Sequence, residues 1–141
     1  MAQIEQYELI ARRLGELHKH MKQTQGKILE KYNITLLEYH ILMVIWKNNS
    51  ASQNDLAKML DVDKALISRQ ITNMETKGLI FSDYDPNCKR KKILLLSDAS
   101  QKLIPQLQKS HKEGLENTFS DLSDKELKEF QQIIEGLVKK L

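Results

Sequence analysis

Four adjacent cations, Lys89-Arg90-Lys91-Lys92, form the densest patch of charge in this 141-residue sequence. Lysine ammonium groups neutralise phosphates as point charges. An arginine fork can enter a narrow minor groove, where negative potential concentrates. A second set lies upstream. At about 100° per residue, Ala65, Ser68, Arg69, Thr72 and Thr76 share one face of a helix, opposite Ile67, Ile71 and Met74. Short polar side chains with one arginine suit a helix read by the major groove, because they let the backbone approach and reach base edges or phosphates. Lys64, at the helix start, favours a phosphate there, and Asn73 is grouped with the same polar set.

The charge distribution agrees. Residues 47–96 carry nine basic and six acidic side chains, while residues 1–46 carry six and five and residues 97–141 seven and eight. The net charge of +3 therefore arises in the middle of the chain.

Other chemistry is sparsely supplied. One cysteine, Cys88, excludes an intramolecular disulfide and a CxxC metal site. Its basic neighbours would favour the thiolate, so a redox switch is one reading and a neutral substitution the favoured one. His18, His20, His40 and His111 form no HxxxH pair, a poor signature for metal, with His40 and His111 the only candidate ligands. Five glycines, no GxSxG and no phosphate-cradling loop argue against an enzyme. No cofactor is expected. His18, Met21, Tyr39, His40 and Met43, with Tyr7 and Trp46, are amphipathic candidates for a small-molecule pocket, or else belong to core and interface. No run of about 18 apolar residues occurs, so no membrane contact and a cytoplasmic location are expected.

The elements that must position these residues follow from periodicity and caps. Ile4, Tyr7, Ala11, Leu14, His18, Met21, Gln25, Ile28 and Tyr32 form a heptad-like stripe on a helix from Ile4 to Lys31. Asn33 breaks it, and Thr35 with Glu38 makes a capping box for the next helix. Ser52 with Asp55 caps a short helix ending near Leu60. Asp63 caps one from Lys64 to Lys77, stopped by Gly78. Leu79–Tyr84 and Lys92–Leu96 predict a hairpin with its turn at Asp85-Pro86-Asn87-Cys88, tipped by the four cations. Ser97 caps a fifth helix, in which Pro105 predicts a kink or a reset. Ser123 and Glu126 open a sixth, with Leu127, Phe130, Ile134, Leu137 and Leu141 heptad-spaced. The class is mainly α with a small β-hairpin wing: a winged helix-turn-helix of six helices, dimerising through N- and C-terminal helices.

These segments resemble the MarR family of bacterial transcriptional regulators over nearly the full length. Asn54-Asp-Leu-Ala-Lys-Met-Leu-Asp-Val-Asp-Lys64 is similar to the family's turn. Ile67-Ser-Arg69 through Leu79-Ile80 resembles its recognition helix and exit. Asp85-Pro-Asn-Cys-Lys-Arg90 matches the wing-tip pattern D-P-x-D-x-R, with Cys88 in place of the second aspartate and Asp85 as a substitute anchor. Ser100 stands where a glycine is frequent, read as tolerated drift. The resemblance implies a homodimer on double-stranded DNA at an inverted-repeat operator, acting as a repressor relieved by a small-molecule inducer. Family ligands often sit between the DNA-binding and dimerisation parts. It places Arg90 at the wing arginine, and it likens His40 and His111 to histidines of zinc-responsive members. The expected DNA contacts are Lys64, Ala65, Ser68, Arg69, Thr72, Asn73, Lys89, Arg90 and Lys91. The expected division is 1–34 for dimerisation, 35–96 for DNA binding and 97–141 for dimerisation. A helical protein–protein adaptor, or a metal- or redox-responsive regulator, is the alternative.

Overall fold

Five helices start where a hydroxyl or carboxylate precedes them and accepts one of the free N–H groups of the first turn. The computed structural model describes residues 2–141. Thr35 opens α2 (Leu36–Asn48) and Ser52 opens α3 (Gln53–Leu60), each with a reciprocal capping box. Asp63 opens α4 (Lys64–Thr76), where its Oδ1 accepts from the Ala65 N–H at 2.7 Å. Ser97 opens α5 (Asp98–Phe119), and Ser123 with Glu126 opens α6 (Asp124–Val138). The first helix, α1 (Gln3–Glu30), begins without a side-chain cap. Its 28 residues span roughly 42 Å at the α-helical rise.

Between α4 and α5 lie β1 (Ile80–Asp85) and β2 (Cys88–Leu96), an antiparallel pair. Ala51 adds a two-bond bridge to Leu94, its N–H donating at 3.3 Å and its carbonyl accepting at 2.8 Å. This ties the start of α3 to the root of the wing. The core gathers one side of each central element: Leu29 from α1, Ile41, Leu42 and Ile45 from α2, Leu56 from α3, Ile67 and Met74 from α4, and Ile104 and Leu107 from α5, all fully buried. Gly114 lets α1 and α5 approach closely, since a Cβ there would meet Gln25 Nε2 at 2.6 Å.

Two expectations are corrected. The return strand starts at Cys88 rather than Lys92, so the four cations lie along β2, while the turn itself is Pro86-Asn87. The pairing shifts at Tyr84/Asp85, where Tyr84 faces Lys92 and Asp85 faces Cys88. Lys89, Arg90 and Lys91 thus occupy an irregular stretch that bends the strand, as bulges do. Secondly, of the kink or reset expected at Pro105 the reset does not occur, because α5 runs unbroken across it. Pro105 and Gln101 are both exposed, so the Gln101 carbonyl that loses its helical donor can turn to water.

Candidate nucleic-acid interface

The short helix α3, the turn Asp61–Asp63 and α4 set up the interface. Asp61 adopts a left-handed conformation (φ 51°) as the C-cap of α3, and Val62 N–H donates back to Ala57 O at 3.0 Å. That reversal brings the second helix across the first. Ile67, Ile71 and Met74 then bury one side of α4 and leave Lys64, Ala65, Ser68, Arg69, Thr72, Asn73 and Thr76 exposed. The opposition of faces expected from periodicity is the one observed.

The far end of α4 is closed by two crossed hydrogen bonds. Gly78 N–H donates to Glu75 O at 3.0 Å and Leu79 N–H to Met74 O at 2.9 Å. Gly78 takes φ 73° to make this turn, a Schellman arrangement that suits glycine because a Cβ is penalised there. Ser100 then reinforces the exit. It is fully buried, and its hydroxyl donates to Leu79 O at 2.7 Å. Ser100 is therefore a bonded anchor and not a neutral replacement for glycine.

The threonine hydroxyl protons on the exposed face are already committed. Thr72 Oγ1 donates to Ser68 O at 3.1 Å, and Thr76 Oγ1 to Thr72 O at 2.9 Å. What Thr72 still offers is a methyl group and an oxygen able to accept. Those complement a thymine methyl or the exocyclic amino groups of adenine and cytosine.

The cations are free to act. Among the described residues no carboxylate lies within 4 Å of the side-chain nitrogens of Lys64, Arg69, Lys89, Arg90, Lys91 or Lys92, whereas Lys77, Arg13 and Lys125 are paired. Lys91 still acts at longer range. Hydrogen bonds from Ser52, backbone first and then side chain, hold Asp55 below the usual carboxylate range, with smaller help from Lys91 and Lys58. The wing tip is fastened by Asp85, whose Oδ1 accepts from Asn87 N–H at 2.9 Å. Cys88 is exposed and unpaired beside it. A narrow groove of about 160 Å³ separates α4 from the wing, with Gln53, Ser68, Thr72, Glu75, Ser82 and Lys92 among its walls. Gln53 was not singled out by sequence, because its place beside α4 depends on the α3–α4 crossing.

The residues considered for a small ligand are dispersed in character. His18 and His40 are exposed, Met21 and Met43 half-buried, and Tyr39 buried. Trp46 joins Phe81, Leu95 and Gln101 around a different cavity of about 240 Å³. Another, of about 540 Å³, lies against α1 and the start of α2, lined by Gln23, Lys27, Glu30, Ile34 and Leu36 among others.

His40 and His111 do come together, both against the Tyr39 ring, with centroids 5.8 and 4.8 Å from it. Desolvation lowers both histidine pKa values, and the neighbouring His40 charge adds to the effect at His111. His111 Nδ1 is bonded to Gln25 Oε1 at 2.9 Å, and the Gln25 amide donates to the His111 carbonyl at 3.2 Å. Among the described residues no group of three His, Cys, Asp or Glu side chains is arranged to hold a metal ion.

Comparison with known proteins gives this geometry a family. The family model described as "MarR family" matches residues 34–92, from the turn before α2 into β2. Over 124 residues the chain is 30% identical to the HTH-type transcriptional regulator BilQ of Clostridioides difficile (strain CD3), covering 88% of this chain and 84% of that protein. Among solved structures, a MarR mutant from E. coli complexed with operator DNA superposes with a TM-score of 0.83 at 16% identity, covering 97% of this chain and 99% of the other. A MarR transcriptional regulator from Methanosarcina mazei Go1 gives a TM-score of 0.82 at 25% identity, covering 94% and 96%. With its recognition-type helix, its basic wing and a 30% identical relative aligned over most of both chains, this chain belongs to the MarR family.

Proposed function

We infer that this chain is a DNA-binding transcriptional regulator that acts as a homodimer on an inverted-repeat operator. The exposed face of α4 reads the major groove, with Ala65, Ser68, Arg69, Thr72 and Asn73 toward base edges and Lys64 toward phosphate. Arg90 enters the flanking minor groove, while Lys89 and Lys91 neutralise phosphates. The observation that carries this reading is the placement of six carboxylate-free cations on just two adjoining elements, α4 and β2. A protein of the same fold has been crystallised with operator DNA, which supports the same use of the fold here.

Residues 1–34 and 97–141 serve dimerisation in this reading, and residues 35–96 serve DNA binding. Repression, relieved by a small molecule, is the mode of action. An inducer bound between α1, α2 and α5 would act by changing the distance between the two α4 helices.

The test is an anisotropy titration against the DNA immediately upstream of the coding region, at two salt concentrations with nonspecific competitor. Tight binding to a palindromic segment, weakening steeply with salt as phosphate contacts require, is the expected result. Binding that is absent, or equal for all sequences, contradicts it.

A further inference from the structure

Glu38 is fully buried, at 1% exposure, yet it was legible in sequence only as the fourth residue of a capping box. Its carboxylate has a second partner, 39 residues away. Lys77, the C-cap of α4, places its ammonium 3.0 and 3.1 Å from the two Glu38 oxygens and 2.9 Å from the Asn33 carbonyl. An ammonium has three protons to donate, and here each finds an acceptor. Glu38 Oε1 also accepts from the Thr35 N–H at 2.9 Å.

The acceptors belong to one rigid piece. Asn33 sits in a left-handed conformation (φ 56°), and its N–H donates to Glu30 O at 2.9 Å, while Ile34 N–H returns to Leu29 O at 3.3 Å. The elbow between α1 and α2 is thus bonded back onto the last turn of α1. Lys77 joins that elbow to the end of α4. Apart from one long bond from the Ser82 hydroxyl of β1 to Glu75 Oε1 at 3.4 Å, the other attachments of the α4 side chains, through Ile67, Ile71 and Met74, are apolar and non-directional. They hold the helix in but do little to fix its pitch. A cation at a helix C-terminus is also favoured by the helix dipole, so the contact suits its position.

We propose that Glu38 and Lys77 are positioning residues that lock the angle between α4 and α1, and thereby set which half-site spacing the dimer accepts. The proposal rests on the operator reading above, in which α1 belongs to the dimer frame and α4 to the DNA. In a two-fold dimer, a change in that angle alters the separation and the rotation of the two α4 helices together. One base pair of DNA rises 3.4 Å along its axis, so a small loss of rigidity is enough to blur the choice between adjacent spacings.

The experiment compares wild type with the double variant Glu38→Gln/Lys77→Met. Glutamine keeps the capping box, and removing both charges leaves no orphaned ion in the interior. The probes are the duplex selected from random sequence by the wild-type protein, and the same duplex with one base pair inserted or deleted between half-sites. Thermal unfolding and sedimentation verify that the variant is folded and has the wild-type oligomeric state. The double variant should lose about three- to tenfold of the wild-type preference for the selected spacing. An unchanged preference, with affinity merely lower on every duplex, would reduce the pair to a structural or phosphate-contacting role and overturn the proposal. A wild-type protein that binds all three duplexes equally would instead remove the two-fold operator reading, and the proposal with it.

Discussion

Arg90 and Arg69 are both exposed and free of acidic partners, but their settings ask different things of them. Arg90 lies in the irregular stretch of β2 beyond the Tyr84–Lys92 pair, near the tip of the hairpin. Arg90→Ala should weaken operator binding substantially and leave the oligomer intact, as read by anisotropy and sedimentation. Equal affinity would take the wing out of the interface. Arg69 lies on the exposed side of α4, the side assigned to bases in the proposed function. Arg69→Ala should relax sequence choice by about 1–3 kcal/mol at the affected position; a uniform loss on all sequences would recast it as a phosphate contact. The pair His40 and His111 gives a pH prediction. Their folded pKa values lie below the ordinary histidine value, so the unfolded chain binds protons more readily than the folded one. Their contribution is present above the unfolded value of about 6.5 and is lost as pH falls through the lower folded values. The urea midpoint should therefore drop between about pH 7.5 and 5.5, and less so in His40→Gln/His111→Gln. Asp55 and Glu126, held low by hydrogen bonds from Ser52 and Ser123, lose their stabilising effect only in more acidic solution.

At the scale of elements, what the sequence revealed was local. Thr35, Ser52, Asp63, Ser97 and Ser123 announce helix starts because a cap needs only neighbours within three residues. Gly78 announces the end of α4 for the same reason. The start of β2 was not legible. Lysine has weak strand preference, and Cys88 pairs only because the turn brings it alongside Asp85, while Lys89, Arg90 and Lys91 lie unpaired in the irregular stretch. The contact of Lys77 with Glu38 and the bond from Ser100 to Leu79 were hidden too, since both join residues distant in sequence. Gly114 shows how tightly α1 and α5 meet. An added methyl would press on Gln25 Nε2 and on Ile28 Cδ1, at 2.6 and 2.7 Å, and push Gln25 off His111. Gly114→Ala should cost about 1–3 kcal/mol by denaturant unfolding; a neutral result would mean that Gln25 moves aside freely.

Across the whole molecule, most of the exposed large apolar side chains lie on the first and last helices, which the proposed dimer would cover. The N-terminal half of α1 exposes Ile4, Tyr7, Ile10 and Leu14, and α6 buries nothing in the protomer while exposing Leu127, Phe130, Ile133 and Leu137. Phe130 meets Phe119 of α5, 6.5 Å between ring centroids, and little else holds α6 down. Heptad spacing made Ile4, Tyr7 and Leu14 and, on α6, Leu127, Phe130 and Leu137 visible in the sequence, whereas Ile10 and Ile133 fall outside both series. Which part of α1 the core covers was not visible, because Gln25 and Leu29 are buried by α5 and α2, not by their own helix. Ile133 is 62% exposed in the protomer, so Ile133→Glu should leave the protomer folded yet shift sedimentation toward monomer. An unshifted dimer would place the interface elsewhere. A selection of operator sites from random duplex DNA by the purified protein tests the DNA-binding reading most directly. The expected result is enrichment of an inverted repeat whose half-site centres lie about one helical turn apart, lost when Arg69 and Arg90 are both replaced by alanine. No enriched sequence, or one that the double variant binds equally well, would contradict it.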